Sequence, residues 1–162
     1  MNGAHRLIVM RHGTAGELPG GPDAERALRT QGRQDAAAAG TWLRRGGFVP
    51  DAVICSRARR ARQTWQYVCA ELAPEVQAQI DDRIYDAGAT ELAGIIAETP
   101  AEVGTLLCVG HNPAAGQLAT ALTGAEMGFP AAAVAVIELP VPWAELSEGT
   151  GKLIASWRPP AG

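Results

Sequence analysis

The chain has 162 residues with a net charge of −3 at pH 7, and 47% of its residues are hydrophobic. This composition excludes a disordered chain and a membrane-spanning one, and the longest apolar runs, such as residues 131–137, are far too short to cross a bilayer. The length predicts a single domain over residues 1–162. Because no basic segment followed by an apolar run and a cleavage site opens the sequence, we expect a cytoplasmic protein.

Short apolar runs alternate with amphipathic stretches along the chain, which predicts alternating strands and helices. Strands are predicted at residues 6–10, 51–56, 76–80, 105–110, 132–139 and 152–158. Helices are predicted at residues 30–45, 58–72, 90–98 and 113–122. This order predicts an α/β fold, a three-layer αβα sandwich around a mostly parallel central sheet. The last two strands have no helix between them, so at least one antiparallel strand is expected.

Unusual side chains follow three of the predicted strands, at residues 11–13, 56–62 and 111–113. In open α/β sheets, ligands bind beyond the carboxyl ends of the parallel strands. We therefore expect these three segments to meet at one site. Each segment alone has an ordinary explanation: Asn112 can cap a helix and Pro113 can begin it. The joint placement favours a functional site.

Four segments carry a family resemblance. They are VMRHGTA (9–15), which resembles an Arg-His-Gly motif, RALRTQGRQDA (26–36), similar to R-x-L-T-x-x-G, ICSRARRARQTW (54–65), similar to S-P-x-x-R-A-x-Q-T, and LLCVGHNPAAGQLATAL (106–122), which resembles a V-G-H-N-P helix start. Arg29 stands where threonine is usual, and Arg57 replaces the usual proline. Together the segments resemble the histidine phosphatase superfamily, with its phosphoglycerate mutase-like fold, and within it the short SixA-like phosphohistidine phosphatases.

The resemblance implies catalytic roles for Arg11, His12, Arg60 and His111. His12 is the expected nucleophile, forming a covalent phosphohistidine that water hydrolyses. Arg11, Arg60 and His111 are expected to bind the phosphoryl oxygens, because planar guanidinium groups and a histidine donor stabilise the negative charge in transfer. A hydrogen bond from the other ring nitrogen of His12 to a backbone carbonyl would fix its tautomer. No cofactor is implied, and these arginines would repel a metal ion.

A general acid is harder to identify. Many superfamily members protonate an alcohol leaving group with a glutamate in the pattern L-x-E-x-x-x-G, which the segment DRIYDAGATEL (82–92) lacks. Asp86 is the nearest candidate, with Glu17 and Asp23 as others, and a local turn contact explains Asp86 equally well. Since a phosphoramidate nitrogen is protonated more readily than an alkoxide, this absence favours phosphohistidine on a protein as the substrate.

Two other functions stay open. One is a phosphomonoesterase of the same superfamily that acts on a small sugar, nucleotide or cofactor-precursor phosphate. The other is a non-catalytic module that binds phosphoproteins. A nucleic-acid partner is a weaker alternative, because the chain is acidic overall. We expect a phosphorylated protein partner, and neither nucleic acid nor membrane.

The arginine cluster of residues 57–62 divides by expected position. Arg57 is placed at the mouth of the pocket, where it could recognise an acidic partner, whereas Arg59 and Arg62 are expected to be solvated. Outside the site, His5 is expected at the surface, and Trp143 and Trp157 in the core. Three cysteines are expected to be reduced and buried: Cys55, Cys69 and Cys108.

Overall fold

A computed structural model describes residues 5–160. Its strands are His5–Arg11 (β1), Ala52–Cys55 (β2), Ala78–Ile80 (β3), Thr105–Gly110 (β4), Val134–Leu139 (β5) and Lys152–Trp157 (β6). Its α-helices are Thr30–Arg45 (α1), Arg59–Leu72 (α2), Ala89–Ala97 (α3) and Ala114–Thr123 (α4). Short 3-10 helices occur at Asp23–Glu25, Asp82–Ile84 and Trp143–Glu145. In the part of the chain described, no helix is long and apolar enough to cross a membrane.

The six strands form one sheet in the order β3-β2-β4-β1-β5-β6. The first four strands in this order run parallel, whereas β5 is antiparallel to β1 and β6 is antiparallel to β5. The prediction of a mostly parallel sheet with an antiparallel strand late in the chain is therefore confirmed.

Helices cover both faces of the sheet, because each strand sends alternate side chains to opposite faces. Leu7 and Val9 of β1 pack with α3 and α4 on one face. Ile8 and Met10 pack with α1 and α2 on the other. These two buried clusters make the molecule a three-layer αβα sandwich, as predicted.

The predicted element boundaries are close to the observed ones. The predicted strand at 132–139 begins only at Val134, because Ala132 has a φ of 67° and its N–H donates to the carbonyl of His12. The predicted strand at 76–80 shortens to three residues at the sheet edge. The three 3-10 helices were not anticipated, since such short turns leave no periodic pattern in the sequence.

The residues expected outside the site are only partly where the sequence placed them. Trp143 is buried as expected and its indole N–H donates to the carbonyl of Val103 at 2.8 Å, while Trp157 is half-buried against the core. His5 is half-buried rather than a surface residue, because β1 already begins there and its ring lies 5.0 Å from that of Trp143.

The cysteines follow their predicted burial in two cases of three. Cys55 and Cys108 are buried, whereas Cys69 is half-buried. Burial raises the pKa of Cys55 to about 12 and also raises the pKa of Cys108. Both buried thiols are therefore protonated and unreactive at neutral pH.

Candidate active site

The register of the sheet brings the distant histidines together. Arg11 pairs with Gly110 across β1 and β4, and Cys55 of β2 pairs with Val109. The residues that follow these strands therefore leave the same edge of the sheet side by side. The rings of His12 and His111 lie 5.1 Å apart between centroids. The expected meeting of the three segments is thus present in the structure.

A backbone carbonyl fixes the tautomer of His12, and burial keeps its ring neutral. Its Nδ1–H donates to the carbonyl oxygen of Gly13 at 2.8 Å. A carbonyl oxygen only accepts hydrogen bonds, so the neutral ring carries its proton on Nδ1 and keeps a lone pair on Nε2. Burial, followed by the nearby His111 and Arg60, lowers the pKa of His12 to about 3, although the Gly13 bond acts against this. At neutral pH the ring is an uncharged base with a free Nε2.

The chain after His12 lies against the start of α1 at a very short distance. A Cβ added to Gly13 would lie 2.8 Å from the carbonyl oxygen of Gly32, and one added to Gly32 would lie 2.3 Å from that of Thr14. No side chain fits at either place. These two glycines let the backbone that holds the His12 ring pack directly on the helix.

A second connection joins this loop to α2. The Gly13 N–H donates to Oγ1 of buried Thr64 at 2.9 Å, and the Thr64 hydroxyl donates to the carbonyl of Arg60 at 2.7 Å. Gln63 accepts the N–H of Leu28 at 2.8 Å. Gln63 and Thr64 therefore connect α2 to the loop that follows His12, and Thr64 positions that loop relative to Arg60.

The two arginines carry unpartnered buried nitrogen atoms. Within residues 5–160, the Nε atoms of Arg11 and Arg60 are the buried side-chain polar atoms without a hydrogen-bond partner. Arg60 is only 6% exposed, and Arg11 donates one bond, to the carbonyl of Phe129 at 3.3 Å. A buried N–H without a partner costs free energy, so these two groups indicate a site for an anion.

His111 is held at the end of β4 by a contact with β2. Its Nε2 lies 2.7 Å from Oγ of buried Ser56, which also accepts the N–H of Ala58 at 3.2 Å. Burial and the positive charge of Arg60 lower the pKa of His111 to about 4. Asn112 accepts the N–H of Gly116, in the first turn of α4, at 3.1 Å. The N-cap itself is Pro113, one residue later than predicted, because the helix begins at Ala114.

Asp23 closes the site from the loop after β1. The Arg60 guanidinium donates to its carbonyl oxygen at 2.9 Å and to its carboxylate Oδ2 at 3.0 Å. Arg26 donates to Oδ1 at 2.9 Å, and the Tyr85 hydroxyl donates to Oδ2. The Tyr85 hydrogen bond, followed by those from the arginines, holds the pKa of Asp23 far below its usual range. Asp23 is therefore a carboxylate with no proton to donate as a general acid.

Tyr85 is the site residue that sequence reasoning missed. Its ring lies edge-on to His111, 5.6 Å between centroids, and the Arg57 guanidinium lies 4.3 Å above it. The hydrogen bond to Asp23 raises the pKa of Tyr85. The only available signal was its place inside the segment that lacks the family's glutamate. A lone tyrosine in a loop has no periodicity to mark it.

The remaining candidates lie further out. Asp86 is exposed, and its charge acts to raise the pKa of His111, so it lies near the site without entering it. Glu17 is exposed in the loop before Asp23. Arg57 stands at the rim on Tyr85, while Arg59 and Arg62 are exposed. Among the residues described, no three His, Cys, Asp or Glu side chains are grouped to hold a metal ion.

Such a site on this fold defines an α/β phosphatase. The chain belongs to the histidine phosphatase superfamily, whose branch 1 model matches residues 7–107. It is 33% identical over 156 residues to an uncharacterized protein of Mycobacterium tuberculosis. That alignment covers 90% of this chain and 96% of the relative.

Solved structures share the whole architecture. A protein from Nakamurella multipartitia, provisionally named phosphohistidine phosphatase SixA, superposes with a TM-score of 0.86 at 32% identity over 98% of both chains. A second protein with the same provisional name, from Agrobacterium tumefaciens, superposes with a TM-score of 0.84 at 26% identity over 96% of this chain and 98% of that chain. The predicted phosphoglycerate mutase-like fold and the SixA-like resemblance are confirmed.

Proposed function

We propose that this protein removes phosphoryl groups from phosphohistidine on a protein, through a covalent phosphohistidine on its own His12. The proposal depends chiefly on one observation. The Nδ1–H of His12 is bound by the Gly13 carbonyl, which leaves the Nε2 lone pair of a neutral ring beside the guanidinium groups of Arg11 and Arg60.

The first step transfers the phosphoryl group to the enzyme. The lone pair on Nε2 of His12 forms a bond to phosphorus while the P–N bond of the substrate breaks. The departing imidazole nitrogen keeps the electron pair of that bond and takes a proton from water. The hydroxide ion left behind is neutralised by a proton of the phosphate that the second step releases. The equatorial oxygens carry the charge of the transition state, which Arg11, Arg60 and His111 stabilise.

The second step regenerates His12. A water molecule attacks the phosphorus of the phosphorylated ring, and the P–Nε2 bond breaks with its electrons returning to the imidazole. Inorganic phosphate leaves, and the ring returns to the neutral state that its burial favours, with its proton on the Nδ1 that the Gly13 carbonyl binds. Neither step needs a metal ion, because the guanidinium groups provide the positive charge.

Substrate binding requires an exchange at Arg60. In the structure its two terminal nitrogen atoms bind Asp23, while its Nε is unpartnered. A phosphoryl group offers the same kind of oxygen acceptor, with more charge. We infer that the phosphoryl oxygens replace the Asp23 carboxylate on Arg60 when the substrate enters.

The state of the carboxylates around the site supports phosphohistidine as the substrate, with an imidazole nitrogen as the leaving group. Asp23 is held ionised by its three donors, and Asp86 is exposed. Neither is a buried, protonated acid of the kind that an alkoxide leaving group requires. A phosphoramidate nitrogen can take its proton from water.

Covalent labelling tests the proposal. The wild-type protein, His12→Ala and His5→Ala are mixed with a phosphohistidine protein labelled on phosphorus, and then quenched in alkali. We expect an alkali-stable, acid-labile label on the wild type and on His5→Ala, which removes a histidine outside the site. His12→Ala should carry none and turn over at a rate lower by roughly 10³-fold or more. A label that persists in His12→Ala would exclude this mechanism.

One observation favours a small-molecule phosphomonoesterase as a second candidate. A groove of about 680 Å³ runs along α4 beside the site and shares Asn112 and Phe129 with it. Grooves of this volume accommodate small ligands. Phosphohistidine protein and a set of sugar and nucleotide phosphates should therefore be compared by kcat/KM, and a higher value for one of the monoesters would favour this candidate.

A further inference from the structure

We propose that the exposed arginines at the start of α2 form a docking face for carboxylate side chains that surround the phosphohistidine of the substrate protein. This arginine face consists of Arg57, Arg59 and Arg62. The inference rests on the proposed function, and it adds the surface chemistry of the substrate: an acidic protein surface.

The three guanidinium groups are exposed in a chain that is acidic overall, with a net charge of −3. Within residues 5–160, the salt bridges of arginine involve Arg26, Arg60 and Arg83, and none reaches the arginine face. The face therefore concentrates positive charge that the carboxylates of the described chain do not neutralise. Such a local patch attracts an anionic partner and steers its approach.

The helix dipole does not explain the two arginines of this face that lie in α2, Arg59 and Arg62. The amino-terminal end of a helix carries partial positive charge, so basic residues in the first turn are unfavourable and acidic ones are preferred. The first turn of α2 contains no acidic residue, and its N-cap, Ala58, makes no side-chain capping bond. By contrast, Arg44 and Arg45 occupy the last turn of α1, where basic residues stabilise the helix. The arrangement at α2 points to a role in binding.

The arginine face is continuous with the active site. Arg57 lies 4.3 Å above the Tyr85 ring, which in turn meets His111 edge-on at 5.6 Å. Arg62 donates from Nε to the carbonyl of Arg57 at 2.9 Å. Arg60, between them in sequence, turns inward and is buried. A protein that places its phosphoryl group on Arg60 must therefore lay the surrounding surface over Arg57.

An acidic protein fits this arrangement better than a nucleic acid. The site beside the face is built for a terminal phosphoryl group, whereas the phosphates inside a nucleic-acid strand are diesters. A strand would also extend past the three arginines onto a molecule of net negative charge. Carboxylates around a single phosphohistidine match the small size of the patch.

Two synthetic peptides test the inference. Each peptide carries one phosphohistidine. The two differ only at the flanking positions, which are glutamate in one peptide and glutamine in the other. We expect the wild type to prefer the glutamate peptide by roughly ten-fold in kcat/KM, and added salt to reduce that preference. The Arg59→Gln/Arg62→Gln variant should lose most of the preference, and Arg57→Gln should lose part of it. Because the readout is a ratio of two substrates on one enzyme, changes in the chemical step cancel.

A charge-matched variant provides the control. Arg44→Gln/Arg45→Gln also removes two exposed positive charges, in the last turn of α1, about 20 Å along that helix from the end that packs beside His12. It should keep the full preference. Equal turnover of both peptides by the wild type, or an unchanged preference in Arg59→Gln/Arg62→Gln, would overturn the inference and leave the proposed function intact. Turnover of neither peptide, with His12 still labelled by phosphoramidate, would reject both the protein substrate and the face. If an oligonucleotide binds the wild type but not Arg59→Gln/Arg62→Gln, and the wild type shows no preference between the peptides, the face would be assigned to nucleic acid instead.

Discussion

The two sides of the active site are held in different ways. On the sheet side, His12 is fixed by a backbone carbonyl, by a packed pair of glycines and by the buried Thr64. On the loop side, Arg60 is held by Asp23, an exposed residue whose contacts are hydrogen bonds between side chains and to its carbonyl. The comparison teaches that His12, the proposed nucleophile, is held by buried contacts, whereas Arg60, the proposed phosphoryl-binding group, is held by an exposed carboxylate.

The largest expected effect on activity comes from removing the Arg60 guanidinium, which Asp23 binds in the structure. Arg60→Ala should lower kcat for phosphoramidate hydrolysis by roughly 10³-fold, since a guanidinium on the transferring group typically contributes at least that much. The neighbouring Arg59→Ala, which removes an exposed arginine from the same helix turn, should stay within a few-fold of the wild type. Comparable losses in the two variants would show that the inward direction of Arg60 is irrelevant.

The rigid side is tested by Gly32→Ala. The added Cβ would lie 2.3 Å from the carbonyl oxygen of Thr14, so the backbone must move. We expect the free energy of unfolding in urea to fall by about 3 kcal/mol, with a loss of activity. Gly94→Ala is the control, because its Cβ meets nothing within 4 Å. That change in α3 should instead add about 0.5–1 kcal/mol.

Burial of neutral His12 has a cost that appears in acid. Its pKa in the folded protein is about 3, below its ordinary value of 6.5, so between these values the unfolded chain binds more protons than the folded one. Stability must therefore fall as the pH drops below 6.5. Between pH 7 and pH 5, His12→Gln should lose about 2 kcal/mol less free energy of unfolding than the wild type. Urea titrations at the two pH values measure this, and identical losses would contradict it.

The smallest effect is expected from Asp23, the exposed partner of Arg60, and it concerns inhibition by inorganic phosphate. Asp23→Asn removes the carboxylate charge that competes for Arg60, so inorganic phosphate should inhibit phosphoramidate hydrolysis roughly two- to five-fold more strongly. Glu25→Gln removes a charge from the same 3-10 helix and should leave the inhibition constant unchanged. Weaker inhibition of Asp23→Asn by phosphate would mean that Asp23 positions Arg60 rather than competing for it.

The same division explains what the sequence could predict. Arg11, His12 and His111 follow apolar strands, and the rule that strand ends meet at one sheet edge places them together. Arg60 could be assigned from its motif, although four arginines crowd residues 57–62 and spacing alone does not say which is buried. The sequence predicts a hydrogen bond from His12 to a backbone carbonyl, because a neutral nucleophilic histidine needs a partner for its other nitrogen, but it does not identify Gly13 as that partner.

The loop side could not be predicted in the same way. Asp23 was considered only as an acid, because its position depends on how residues 16–25 fold back onto α2, and a loop rich in glycine and proline has no periodicity. Tyr85 lies 62 residues away from Asp23 in sequence, so no local pattern could link the two. For similar reasons the half-burial of His5 depends on Trp143, which comes from the far end of the chain.

The order of the strands has a consequence for how the protein is made. Strand β1 is synthesised first, yet its two neighbours in the sheet are β4 and β5, at residues 105–110 and 134–139. Its edges therefore stay unpaired until most of the polypeptide has left the ribosome. The loop that presents His12 is completed by Ala132, whose N–H binds the His12 carbonyl. A nascent chain halted before that point would have its reactive imidazole already translated but not yet assembled into a working site.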